Sequence, residues 1–239
     1  AIAGHYADTK SFSKVSQWAP TSNTLSDLAS DSPQWALINA KVALANGHTQ
    51  SAQSHILSTY SLYGDFPSIS NDIGNLFLTA QNTPEATRFY QKALSIDPQN
   101  ALSHFGLGLS LSEASPRSAI QSYKKALRLN PQWPEVWFSI AQASLLISDD
   151  QSRYYYQKVK KSLGKKSLIS QYEQVMLANA YAYLGNDSEA EDLFKSLTRT
   201  RPSDSGLWLR YSQFLINQKR YFDAKALLGR LWQSQNMSL

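Results

Sequence analysis

The sequence contains no cysteine. That excludes disulfides, thiolate metal sites and a cysteine nucleophile. It leaves the compartment open, because cytosolic and exported chains alike can do without cysteine. Histidine occurs only at His5, His48, His55 and His104. His48 and His55 are seven apart, with no carboxylate at ligand spacing beside them, so no metal site is expected. A glycine-rich phosphate loop, a metalloprotease histidine pair and a Gly-x-Ser-x-Gly elbow are all missing. The carboxylates are scattered. Asp149 and Asp150, and Glu189, Glu191 and Asp192, read as acidic helix starts favoured by the helix dipole. No catalytic residues, no cofactor and no enzymatic role are expected. No stretch approaches the roughly 18 consecutive apolar residues of a membrane span. The sequence begins at Ala1 without a Met, which leaves room for a removed targeting segment. Both the cytoplasm and a bacterial periplasm or envelope therefore stay in play.

What is present points to a folded helical chain. Of 239 residues, 42% are hydrophobic and 12% aromatic, enough for a sizeable core and too much for a disordered one. The net charge of +5 is uneven. Residues 1–80 hold three Lys/Arg against five Asp/Glu, and the remaining twenty and thirteen fall in residues 81–239. The basic balance informs association rather than fold.

Three segments end alike: Ser95-Ile96-Asp97-Pro98, Arg128-Leu129-Asn130-Pro131 and Thr198-Arg199-Thr200-Arg201-Pro202. Ahead of each Pro stands a small–aromatic–apolar series at i, i+4, i+7, which is one face of a helix. The series are Ala86, Tyr90, Ala93; Ala119, Tyr123, Ala126; and Ala190, Phe194, Leu197. Upstream of each lies a large–small–bulky pattern: Ile73-Gly74 with Phe77, Leu107-Gly108 with Leu111, Leu177-Ala178 with Tyr181. The small residue lets a neighbouring helix approach closely. Pro then ends each second helix, since it lacks an N–H and restricts the residue before it. The inner connections are short and polar, with Pro84 and Asp187 or Ser188 suited to the start of the second helix.

These residues resemble the tetratricopeptide repeat family, whose period is about 34 residues. Good units cover residues 67–100, 101–133, 171–204 and 205–239, the last carrying Trp208, Tyr211, Ser212, Leu215, Ala224, Leu228 and Leu231. Residues 32–66 are a degenerate unit without the closing Pro. Residues 134–170 are another, with Ser152, Tyr156 and Val159 at the packing positions and a long connection from Ser162 to Lys166. A bend or seam is expected near residue 164. Residues 1–31 read as an N-terminal cap or a partial repeat.

The resemblance implies an all-α fold, a right-handed α-solenoid of antiparallel helix pairs, with no cofactor. It implies a scaffold or adaptor that binds a protein or peptide on a concave wall built from first-helix positions. In register, that wall carries Ser68, Asn71, Asn75 and Leu78; Leu102, Phe105, Leu109 and Ser112; Glu135, Phe138, Gln142 and Leu145; Tyr172, Val175, Asn179 and Tyr183; and Leu209, Gln213 and Ile216. An amide recurs at one position, as Asn75, Gln142, Asn179 and Gln213, and an amide can bond the main chain of any extended peptide. Phe105, Phe138, Tyr172 and Tyr183 are candidate pockets for apolar anchors. None of these positions is Lys or Arg, so a clamp on a C-terminal carboxylate is not expected.

A second candidate surface is the basic, aromatic run with Arg153, Lys158, Lys160, Lys161, Lys165 and Lys166. Interleaved rings and cations suit a polyanion or an anionic envelope surface, but a solvated convex helix face is the favoured reading. Nucleic acid is the less favoured partner. Association of copies through the terminal repeats is a further expectation. The overall style resembles bacterial members that assist assembly of pili, secretion or envelope complexes.

Overall fold

In the computed structural model, residues 32–166 and 169–236 are described, and the expectation for residues 1–31 lies outside them. Among the described residues there are twelve α-helices and no strand. They pair in succession: α1 (Pro33–Ala45) with α2 (Thr49–Tyr63), α3 (Pro67–Thr79) with α4 (Thr83–Ile96), and α5 (Ala101–Leu111) with α6 (Pro116–Leu129). Then α7 (Pro134–Leu146) pairs with α8 (Gln151–Leu163), α9 (Gln171–Leu184) with α10 (Asp187–Thr200), and α11 (Ser205–Asn217) with α12 (Tyr221–Asn236).

The helices start where side chains can satisfy orphan amides. Ser32, Asn82, Asn100 and Asp204 each accept a hydrogen bond from the backbone N–H three residues on. Ser170 and Glu173 form a reciprocal capping box before α9. Pro33, Pro67, Pro84 and Pro116 occupy first-turn positions, where a missing N–H costs nothing.

Five of the six inner turns share one device. His48, Asn82, Asp149, Asn186 and Arg220 each donate their backbone N–H to the carbonyl five residues back, at 2.8–2.9 Å. The residue before each donor is left-handed: Gly47, Gln81, Ser148, Gly185 and Lys219, with φ between 53° and 78°. This is the Schellman closure of a helix end. Glycine fills the left-handed place twice. Gln81, Ser148 and Lys219 hold it at a local steric cost, which the closing bond and the packed helices offset. The α5–α6 turn, residues 112–115, has no left-handed residue.

The chain divides into two compact units at Val136–Trp137. In the first, Tyr90 is fully buried and lies against two glycines, Gly74 of its own pair and Gly106 of the next. A Cβ on Gly74 would sit 2.8 Å from the ring, and one on Gly106 closer still. Tyr123 repeats the arrangement against Gly108. Leu37, Ile56, Ile69, Ile73 and Phe89 extend this core towards α1. In the second unit, Phe194 stacks with Tyr211 at 5.6 Å and packs beside Phe214, with Leu197, Leu207 and Leu215 around them.

The seam expected near residue 164 is not where the chain divides. The packing positions Ser152, Tyr156 and Val159 are all buried, as is Leu163. Across the long connection, Tyr156 meets Tyr183 of α9 with ring centroids 4.7 Å apart. Lys160 Nζ donates to Asn186 Oδ1 at 2.8 Å. A serine at the first packing position is small enough to preserve helix approach, so α8 packs on α9 despite the weak sequence pattern.

One acidic residue does more than start a helix. Glu191 accepts hydrogen bonds from Arg220 at 2.7 Å and from the Tyr211 hydroxyl at 3.2 Å, and it pairs with Lys195 at 3.0 Å. It thereby ties α10 to α11 and to the turn before α12. The Arg220 bond is the main cause holding the Glu191 carboxyl down at about 2, below its ordinary 4.5. Burial first, then the Glu191 charge, push Tyr211 up to about 12. A depressed carboxylate stabilises the fold fully above 4.5, and that contribution fades as pH falls towards about 2. Glu191→Gln should therefore lower the melting temperature at neutral pH and lose less between pH 4.5 and about 2 than the wild type does. Thermal melts of both proteins across that range check this, and parallel curves would contradict it.

Candidate functional site

The first-helix wall is the face left over once each helix has packed. On α5 the buried residues are Ser103, His104, Gly106, Gly108 and Ser110. Leu102 is 59% exposed, and Phe105 and Leu109 are half-buried one and two turns further along the same face. Phe105 rests against Trp133 at 5.0 Å and Tyr123 at 5.8 Å. Its ring is thus fixed in place while part of it stays accessible.

In the second unit the same face recurs. On α11, Leu207, Tyr211, Ser212, Phe214 and Leu215 are buried. Leu209, Gln213 and Ile216, at i, i+4 and i+7, are all exposed. On α9, Tyr172 and Asn179 are half-buried and Tyr183 is 41% exposed. On α7, Gln142 is half-buried and Leu145 exposed. Gln142, Leu145, Tyr172, Asn179, Tyr183, Leu209, Gln213 and Ile216 are uncharged, and the half-buried Glu135 begins the α7 face.

Two sequence-predicted wall residues do not belong there. Phe138 is 2% exposed and packs on Tyr156 of α8, with ring centroids 6.1 Å apart. Helix α7 buries Val136, Trp137, Phe138, Ile140 and Ala141 in near-succession, so more than one of its faces is covered and register alone misplaces Phe138. Asn71 is buried too, and its Oδ1 accepts from Ser103 Oγ at 3.1 Å, joining α3 to α5.

The recurring amides are partly committed to the fold. Asn75 is exposed, but its Oδ1 accepts from the Tyr90 hydroxyl at 2.7 Å. Asp72 beside it is pushed up by burial, an effect opposed by hydrogen bonds from Asn71 and Asn75. Asn179 donates to the Val175 carbonyl at 2.6 Å, and Gln213 donates to Asn217 Oδ1 at 2.9 Å. Leu102, Leu145, Leu209 and Ile216 keep exposed aliphatic side chains on these faces. Their signal in the sequence is an apolar residue on the face opposite the packing series.

The basic run is divided as well. Lys158 lies over the Trp137 and Tyr154 rings at 5.7 and 5.5 Å. Lys160 lies over Tyr181 at 5.5 Å, and Lys166 pairs with Glu173 at 2.9 Å. Burial holds the Tyr156 hydroxyl far above its ordinary range, so it stays neutral. Arg153, Lys161 and Lys165 are exposed, and among the described residues none of the three has an ion-pair partner. Arg153 and Lys161 join Lys160, Gln157, Leu184 and Asn186 around an open pocket of about 410 Å³.

Models of the tetratricopeptide repeat match residues 39–101 and 173–214. Those stretches are tetratricopeptide repeats. Solved structures share the fold. A tetratricopeptide repeat protein from Parabacteroides merdae ATCC 43184 is 16% identical, with 84% of this chain and 79% of that one covered at a TM-score of 0.59. PilW, a type IV pilus biogenesis factor, is 19% identical over 86% of this chain and 93% of its own, also at 0.59. Pseudomonas aeruginosa pilF is 16% identical over 90% and 94%, at 0.60. No curated protein matches the sequence. Tetratricopeptide arrays generally serve as non-enzymatic scaffolds, and no described helix is long and apolar enough to cross a membrane.

Proposed function

We propose that this tetratricopeptide protein is an adaptor that receives an extended segment of a partner protein along its first-helix walls. The observation that carries the reading is the α11 face. Leu209, Gln213 and Ile216 stay exposed and uncharged while the opposite face is buried in the core. Exposed aliphatic residues in register supply anchor sites, and amide oxygens between them accept backbone N–H bonds from a bound strand. Side-chain chemistry at these places requires no catalysis. The likeness to a pilus biogenesis factor supports assembly of a larger complex as the setting, by fold alone.

A second reading, a polyanion or envelope surface on the basic side, is supported by the open pocket beside Arg153 and Lys161. It is weakened by the internal engagement of Lys158, Lys160 and Lys166.

The test is a displayed peptide library panned against the protein, followed by affinity measurements on a Leu209→Asp, Ile216→Asp double variant. Loss of two apolar anchors and gain of two charges should weaken the selected peptides by about a hundredfold. Unchanged affinity in a variant with wild-type helicity would sink the wall reading.

A further inference from the structure

The first unit contains an open pocket of about 620 Å³ that no wall position lines. Its size is that of a small-molecule site. Leu94, Pro98, Leu107 and Leu129 give it apolar sides, and Lys125 and Arg128 of α6 stand at its edge. Both cations are exposed, and among the described residues neither has an ion-pair partner.

His104 lines the pocket. Its Nε2 bonds the Pro98 carbonyl oxygen, six residues earlier, at 3.0 Å. In the last pair, Trp208 makes the same bond from its indole Nε1 to the Pro202 carbonyl, again six residues earlier and at 3.0 Å. The two rings hold equivalent places in their repeats. An indole carries a second ring beyond its N–H, and an imidazole ends there. His104 is 8% exposed, and its Nδ1 is buried without a hydrogen-bond partner. As a packing residue it is therefore inferior to the tryptophan that the same position holds elsewhere in this chain. The smaller ring lies in the pocket that Lys125 and Arg128 edge.

We propose that this pocket binds a small organic carboxylate with an apolar tail. The carboxylate pairs with Lys125 and Arg128, and the tail lies along Leu94, Leu107 and Leu129 over the His104 ring. An anion alone would use only the exposed rim, and a neutral apolar molecule would leave the cations unused. The site is built from α4, α5 and α6 on the packing side of α5, so it does not depend on the partner segment proposed for the wall.

The experiment titrates octanoate into the full chain. Calorimetry gives the affinity, and the His104 ring signals in an NMR spectrum give the location. The expected result is saturable binding at roughly millimolar concentration or tighter, with the His104 signals shifting. Lys125→Gln with Arg128→Gln should weaken binding by about tenfold or more, since charge-assisted bonds are lost from an exposed rim. His104→Trp, which restores the ring found at Trp208, should abolish binding. Acetate and inorganic phosphate should bind at least about tenfold more weakly than octanoate, for want of a tail. Any of three results overturns the proposal: no saturable shift of His104, equal affinity in the double cation variant, or acetate and phosphate matching octanoate. The cation variant alters only exposed residues, so its result stands even if His104→Trp fails to fold.

Discussion

Tyr90→Ala should destabilise the first unit by about 3–5 kcal/mol, the range for removing a fully buried aromatic ring. The ring is 0% exposed and is packed against both Gly74 and Gly106. Its hydroxyl donates to Asn75 Oδ1 at 2.7 Å. Truncation leaves a cavity between two helix pairs that glycine cannot fill from either side. Tyr90→Phe isolates the hydroxyl, and its loss should cost about 1 kcal/mol. Denaturant unfolding followed by helical circular dichroism measures both. A cost below about 1 kcal/mol for the alanine variant would mean that the helices close over the gap.

Gly106→Ala should also destabilise, by about 1–3 kcal/mol, although alanine is the better helix former by about 1 kcal/mol. The new methyl would fall inside the van der Waals surface of the Tyr90 ring, which is pinned by Asn75 on one side and Gly74 on the other. Gly229 of α12 is the control. A Cβ there meets nothing within 4 Å, so Gly229→Ala should stabilise by about 1 kcal/mol through helix propensity alone. The opposite signs of the two substitutions separate overpacking from propensity. Equal stabilisation by both would show that the Tyr90 ring moves aside freely.

The sequence discloses most of the packing because packing has a period. Ala86, Tyr90 and Ala93 recur at helical spacing before a proline, and all three are buried. The companion glycines Gly74 and Gly108 are legible for the same reason. Gly106 is not, since it belongs to the contact between successive pairs rather than within one. The turns are only half legible. Gly47 and Gly185 announce a left-handed residue, whereas Gln81, Ser148 and Lys219 take the same conformation with no local signal, held there by the closing backbone bond. Tertiary context overrides local preference at those three places.

The wall is less legible than the core. Register places exposed or half-buried residues on that face of α5, α9 and α11. It fails on α7, which is apolar nearly all round, and so Phe138 falls in the core. The amide pattern is real in the sequence, yet Asn71 and Asn75 spend their bonds on Ser103 and Tyr90. Spacing cannot reveal such commitments, because they depend on which side chain the neighbouring helix brings within reach. His104 shows the reverse case. Its oddness is visible as a departure from the repeat, and only the bond it shares with Trp208 explains what the departure leaves behind.

The central claim is that the partner lies on the first-helix walls, and site-specific photo-crosslinking tests it most directly. A photoreactive residue at Leu109, Gln142 or Gln213 samples the wall, and one at Lys124, Lys161 or Lys195 samples the second helices. The wall positions should each crosslink to the partner, with yields about tenfold above those from the second-helix positions. Crosslinks confined to Lys124, Lys161 and Lys195 would place the partner on the other surface and contradict the account.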